Sequence, residues 1–357
     1  MATLIEEISA HLKVPEAERN IDWLRKSLQS AVAVELATIP PYLYGMWSIK
    51  DSSSEVYGHI RTIVLQEMLH MGLACNLLSA LGGHPEVSAA AQPYPTGLPG
   101  QIRQQLSVHL QGLAPTPKDP ADVVKQVFME IEMPEHPVAF APSDFAKGAE
   151  SFPTIGVFYE AIKRRLNELR PPPAFGGIQM EEPLTELFKI STVADANKAI
   201  DLIIDQGEGR PEQSGRTDLD TFPADQNPAH VAHYYRFKEI WTGRHLRYDS
   251  TAKKWTFDGP EMKRPAVHSL ERMPPTGVPA TDPELRKRLD ECNTTYHRIL
   301  SGLESAWKTG NPGDLQQAVE EMRNLEAGAA DVIEYQVSRE FPKVYGPEFK
   351  PPIGTSH

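Results

Sequence analysis

The sequence predicts a mainly α-helical protein, a four-helix bundle with long loop insertions and a C-terminal helical hairpin. Three observations lead there. Two long stretches with apolar residues at helical spacing are joined by only a short polar turn. Further helical stretches follow an insertion rich in proline. The last third of the chain then repeats a helix–turn–helix pattern around Gly310-Asn311-Pro312-Gly313.

The first helix runs from Ile21 to about Ser48, with Asn20 or Asp22 as its cap and Trp23, Leu24, Leu28, Ala31, Val32 and Leu36 as its apolar stripe. Pro40 and Pro41 predict a kink near its end, because neither can donate a helical hydrogen bond. The second helix spans about Ser54 to Leu81, capped by Ser52, Ser53 or Ser54 and stopped by Gly82-Gly83. It is apolar on nearly every face, which predicts burial all round. The insertion at about 84–150 holds many prolines, a short strand signal at Leu106, Val108 and Leu110, and a short helix from Val123 to Ile131. Loops of that length inside a bundle are commonly pocket walls or lids. Helices follow over Thr154 to Leu169, Ala194 to Glu208 and Ala229 to Trp241. Pro283 to Lys308 and Leu315 to Val337 make the hairpin. The chain thus divides into a bundle over 1–245 and an extension over 246–357.

Composition narrows the function. Of 357 residues, 40% are hydrophobic, enough for a core, and the formal net charge of -12 argues against nucleic acid and anionic membranes as partners. The two cysteines, Cys75 and Cys292, form no C-x-x-C pair, so neither a disulfide framework nor a thiolate zinc site is expected. The N-terminal residues lack a signal-peptide pattern and no long uninterrupted apolar run is present, so a cytoplasmic protein is expected.

Glu67 and His70 carry the chemistry. Three residues apart on a helix, they project from one face of a buried segment. An ionised carboxylate there is costly unless a cation compensates it. Glu35 sits in the apolar run Ala31-Val32-Ala33-Val34-Glu35-Leu36-Ala37, about as far before the turn near residues 51–52 as Glu67 lies after it. Antiparallel packing therefore brings both carboxylates to one height. Glu160, Glu208 and His233 on the later helices complete a set of four carboxylates and two imidazoles, the composition of di-metal sites in helical bundles. His230 shares a face with His233 and is the alternative ligand. Oxygen and nitrogen donors without thiolate suit iron, manganese or zinc, with copper possible, and two iron ions, or manganese or copper in their place, are the expected cofactor. Tyr42, Tyr44, Trp47 and Tyr159 are candidates to line a pocket beside the site. No C-x-x-C-H motif for haem attachment is present.

At these residues the chain resembles the ferritin-like proteins related to iminophenyl-pyruvate dimer synthase. The matching stretches are Glu35-Leu36-Ala37-Thr38-Ile39-Pro40-Pro41-Tyr42-Leu43, Glu67-Met68-Leu69-His70-Met71 and Asn76 through Gly83, then Pro93-Tyr94-Pro95. Ile155 through Glu160, Gln206-Gly207-Glu208-Gly209 and His233-Tyr234-Tyr235-Arg236-Phe237 follow. The resemblance covers roughly residues 20–245 and implies a ferritin-like fold with metal at the matched acidic and histidine positions. The named enzymes of that family join two imine units from aromatic amino acids oxidatively, are longer chains and are associated with haem. The expected function is a non-haem di-metal oxidase or oxygenase acting with O2 or peroxide on a small organic, amino-acid-derived molecule in secondary metabolism. The alternatives are a metal-binding scaffold without catalysis and, behind it, a ferroxidase or iron store. The amphipathic hairpin is a candidate contact surface between copies.

Overall fold

A computed structural model describes residues 3–99, 106–134, 154–182, 186–209, 231–249, 251 and 254–352. The near-absence of polar side chains from the middle of two long helices sets the architecture. α2 (Ile21–Trp47) and α3 (Glu55–Ala80) pack antiparallel at the centre, preceded by α1 (Leu4–Lys13). Asn20 Oδ1 accepts the Asp22 and Trp23 N–H groups, both at 3.0 Å, and Ser54 caps α3. α2 runs through both prolines to Trp47, close to the expected end near Ser48. Pro41 has no N–H to offer the Ala37 carbonyl, and that carbonyl accepts the Tyr94 hydroxyl at 2.8 Å instead.

α1 is absent from the sequence reading. It starts with a capping box in which Thr3 and Glu6 satisfy each other's backbone N–H, and it buries Leu4, Ile5 and Ile8 against α2. The insertion contributes α4 (Val87–Ala90) and the antiparallel pair β1 (Thr96–Leu98) and β2 (Leu106–Val108). The expected short helix forms, but it opens with a π-helical turn, Val124–Phe128, before α5 (Met129–Ile131). Such turns concentrate at functional sites. Gly45 lets α2 meet this turn, since a Cβ there would lie 2.8 Å from the Phe128 ring.

α6 (Ile155–Glu168) and α7 (Val193–Gly207), capped by Thr154 and Thr192, complete the four-helix bundle with α2 and α3. α8 (His233–Thr242) packs against α3, α7 and the π-helical turn. It starts four residues later than expected; Ala229 and His230 lie outside the described residues. A small hairpin, β3 (Arg247–Asp249) and β4 (Lys254–Thr256), leads to the long hairpin of α9 (Pro283–Thr309) and α10 (Pro312–Ser338).

Specific hydrogen bonds fasten this tail to the bundle. The Trp307 indole donates to Asn76 Oδ1 at 2.9 Å, and the Tyr44 hydroxyl donates to the Glu271 carbonyl while accepting the Gly346 N–H. α3 is long and apolar enough to cross a membrane, yet 83% of its most apolar window is buried inside the protein, which makes it a core helix. Both cysteines are buried and unpaired.

Candidate metal centre

Five buried side chains from four segments meet between the helices. Glu35 comes from α2, Glu67 and His70 from α3, Glu132 from the end of α5 and His233 from the first turn of α8. They form two groups, Glu35–Glu67–His70 and Glu67–Glu132–His233, whose ligand atoms lie within 4.8 Å of one another in each. Glu67 belongs to both. Its Oε1 lies 3.5 Å from His70 Nδ1 and 2.8 Å from His233 Nδ1. The two imidazoles stack at 5.5 Å between ring centroids.

Each carboxylate is held by one oxygen, leaving the other to face an imidazole. Tyr159 donates to Glu35 Oε1 at 2.7 Å, and Glu35 Oε2 faces His70 Nδ1 at 3.7 Å. Thr38 donates to Glu67 Oε2 at 2.6 Å. Tyr42 donates to Glu132 Oε1 at 2.5 Å, and Glu132 Oε2 faces His233 Nδ1 at 3.7 Å. The imidazoles are oriented from behind in the same way. His70 Nε2 meets Gln206 Oε1 at 2.9 Å, and His233 Nε2 meets Gln66 Oε1 at 3.0 Å.

These contacts decide what the centre can bind. A glutamine oxygen accepts only, so each Nε2 donates to it, and Nδ1 is the ring nitrogen turned toward the carboxylates. His233 Nδ1 is buried without a hydrogen-bond partner, although Glu67 Oε1 is close. Buried carboxylates that crowd one another need positive charge between them, which a metal ion or protons on the imidazoles can supply. Burial raises the Glu35 carboxyl, with Glu67 adding to the shift, against hydrogen bonds from His70 and Tyr159. Burial opposes the charging of both imidazoles, yet Glu35 and Glu67 raise His70, and Glu132 and Glu67 raise His233. Glu67 is driven well below the usual carboxylate range because contacts with His233 and His70 outweigh its burial. The donor set of three carboxylates and two imidazoles with fixed outer partners forms two groups, sharing Glu67, that could each hold a metal ion.

Of the side chains expected at the site, the structure brings Glu35, Glu67, His70 and His233 together. Glu160 and Glu208 belong to neither group. Glu160 is half-buried, one helical step past Tyr159, whose hydroxyl is the group that points inward. The buried Glu208 carboxylate accepts the Gly156 N–H at 2.7 Å and the Thr154 hydroxyl at 3.0 Å. It thereby satisfies the start of α6, where negative charge is favoured. Gly156 makes room for it, because a Cβ there would lie 2.5 Å from Glu208 Oε2.

Glu132 takes a place among the carboxylates that the sequence reading assigned elsewhere. It lay in the proline-rich insertion, but Met129-Glu130-Ile131-Glu132-Met133 sets it in an apolar run, the signal that marked Glu35. Among the aromatic candidates, Tyr42 and Tyr159 touch the site, whereas Tyr44 turns toward the tail and Trp47 stacks on Phe349. Helical rotation separates them, since Tyr44 and Trp47 leave α2 in other directions than Tyr42.

The fold and this centre define a helical bundle of the ferritin-like class, and the chain belongs to the ferritin-like family, whose profile matches residues 28–242. The crystal structure of a ferritin-like protein from Caulobacter vibrioides shares the fold with a TM-score of 0.62 at 22% identity, covering 92% of this chain and 97% of that one. No curated protein matches the chain.

Proposed function

We propose that the protein is a non-haem di-metal oxidase or oxygenase that holds two iron ions and acts on a small organic molecule. The observation that carries this reading is the pair of carboxylate–imidazole groups sharing Glu67. Glu35, Glu67 and His70 would hold one ion, and Glu67, Glu132 and His233 the other. When bound, such a pair supplies redox and Lewis-acid chemistry toward O2 or peroxide. Burial of all five side chains supports chemistry shielded from water. The protein's own groups do the positioning. Gln206 and Gln66 keep the imidazole Nδ1 atoms aimed inward, and Thr38, Tyr42 and Tyr159 hold the carboxylates. Tyr42 and Tyr159 also place phenolic protons against Glu132 and Glu35, where burial pushes both phenols well above their ordinary pKa.

The sequence resemblance to proteins related to iminophenyl-pyruvate dimer synthase supports an amino-acid-derived substrate. The test is elemental analysis of the purified protein after anaerobic loading with ferrous iron, followed by O2 uptake with aromatic imines or their parent amino acids. About two irons per chain and substrate-dependent O2 consumption are expected. Failure to retain any redox metal would overturn the reading.

A further inference from the structure

A second feature lies on the outer side of α2 and α3, away from the metal centre. The hairpin of α9 and α10 closes over these helices but leaves a cavity of about 240 Å³ between them. Met68, Met71 and Trp47 form part of one wall, and Leu303 and Met322 part of the other. The remaining wall side chains are aliphatic or aromatic, apart from Arg61, Arg323 and Glu326. Those three are exposed and so stand at the mouth.

Cavities with such walls stay dry and take apolar guests, because water has no polar partner inside. Methionines adapt their shape to a guest at little cost. The volume is below the ~300–1,000 Å³ of drug-sized sites, which suits a slender chain.

The mouth selects the head group. Glu326 accepts the Tyr57 hydroxyl at 2.8 Å. Neither Arg61 nor Arg323 forms an ion pair among the described residues. Two arginines against one glutamate leave the mouth net positive, and a carboxylate suits the planar donors of a guanidinium.

We propose that this cavity binds an amphiphile with a short apolar chain and a single carboxylate. The chain lies between the hairpin and α2–α3, and the head lies against Arg61 and Arg323. The hairpin is then the cover of a ligand site, and the inference stands independently of the metal.

Calorimetric titration of the full chain with decanoate, below its micellar concentration, tests it, with decylamine of equal chain length as the comparison. Saturable binding of decanoate, and decylamine weaker by about tenfold or more, are expected. The double variant Arg61→Glu/Arg323→Glu, both sites exposed, should weaken decanoate by about tenfold or more with an unchanged melting temperature. Val319→Trp, at a half-buried wall position, should fill the slot and remove binding. No saturable decanoate binding overturns the site. Equal binding of decylamine, or full affinity in the arginine variant, overturns the carboxylate assignment. Full affinity in Val319→Trp overturns the location.

Discussion

His70 and His233, 163 positions apart in the chain, stack with their rings 23° from parallel and turn both Nδ1 atoms toward one oxygen of Glu67. That oxygen is the hinge of the centre. The buried carboxylates gathered around it need compensating positive charge, which protons on the imidazoles or a bound metal ion can supply.

The shared role of Glu67 separates two substitutions. Glu132→Ala disturbs only the group containing His233 and should leave about one metal ion per chain, whereas Glu67→Ala serves both groups and should lose both ions. Elemental analysis after desalting reads the difference, with circular dichroism to check the fold. Two ions retained by Glu67→Ala would remove it from the centre.

Gln206 acts through His70. Replacing it with Leu leaves Nε2–H without an acceptor and frees the ring to turn. Metal affinity should fall by about 10–100-fold, the usual effect of losing an outer partner of a ligating histidine. Competition with a chelator of known affinity measures it, and an unchanged affinity would show that packing alone orients the ring.

Tyr42→Phe removes the 2.5 Å hydrogen bond to Glu132 and leaves a buried carboxylate short of a donor. The metal-free protein should lose about 1–3 kcal/mol of stability. Urea unfolding of metal-free wild type and variant gives the value. Equal midpoints would mean that Glu132 is satisfied without the phenol.

The tail has its own acid sensitivity. Burial would raise the Glu348 carboxyl, but hydrogen bonds from Arg286, Lys350, Asn293 and the Val278 N–H outweigh it and hold its pKa at about 2, against an ordinary 4.5. A depressed folded-state pKa stabilises the fold fully above pH 4.5, and that contribution drains away as pH falls from 4.5 toward 2. Glu348→Gln should therefore unfold more readily at neutral pH by about 1–3 kcal/mol and flatten the decline in this window. Thermal melts between pH 7 and 3 test both. A parallel decline in the two proteins would assign the acid sensitivity elsewhere.

The chemistry of the first pair of helices was legible because periodicity and a short turn are local properties. Glu35, Glu67 and His70 follow from apolar runs, helical spacing and the height rule for antiparallel neighbours. His233 was legible only as one of two histidines on a face, and its companion His230 lies outside the described residues. The bundle helices, the tail hairpin and the caps at Asn20 and Ser54 were likewise local matters.

Tertiary structure alone chose the remaining ligand. Glu132 lies between Ile131 and Met133, Glu160 between Tyr159 and Ala161 and Glu208 between two glycines, and these local surroundings do not say which of them reaches the centre. Glu208 goes to the start of α6 because Gly156 leaves room and unpaired N–H groups attract it. Glu132 reaches the centre because a π-helical turn from the insertion docks on α8 and Tyr42 holds its carboxylate. Sequence by itself determined which segments form the bundle and tail helices and that buried carboxylates must be compensated. Which carboxylates share a cation depends on contacts between segments far apart in the chain, and only the packed fold decides those.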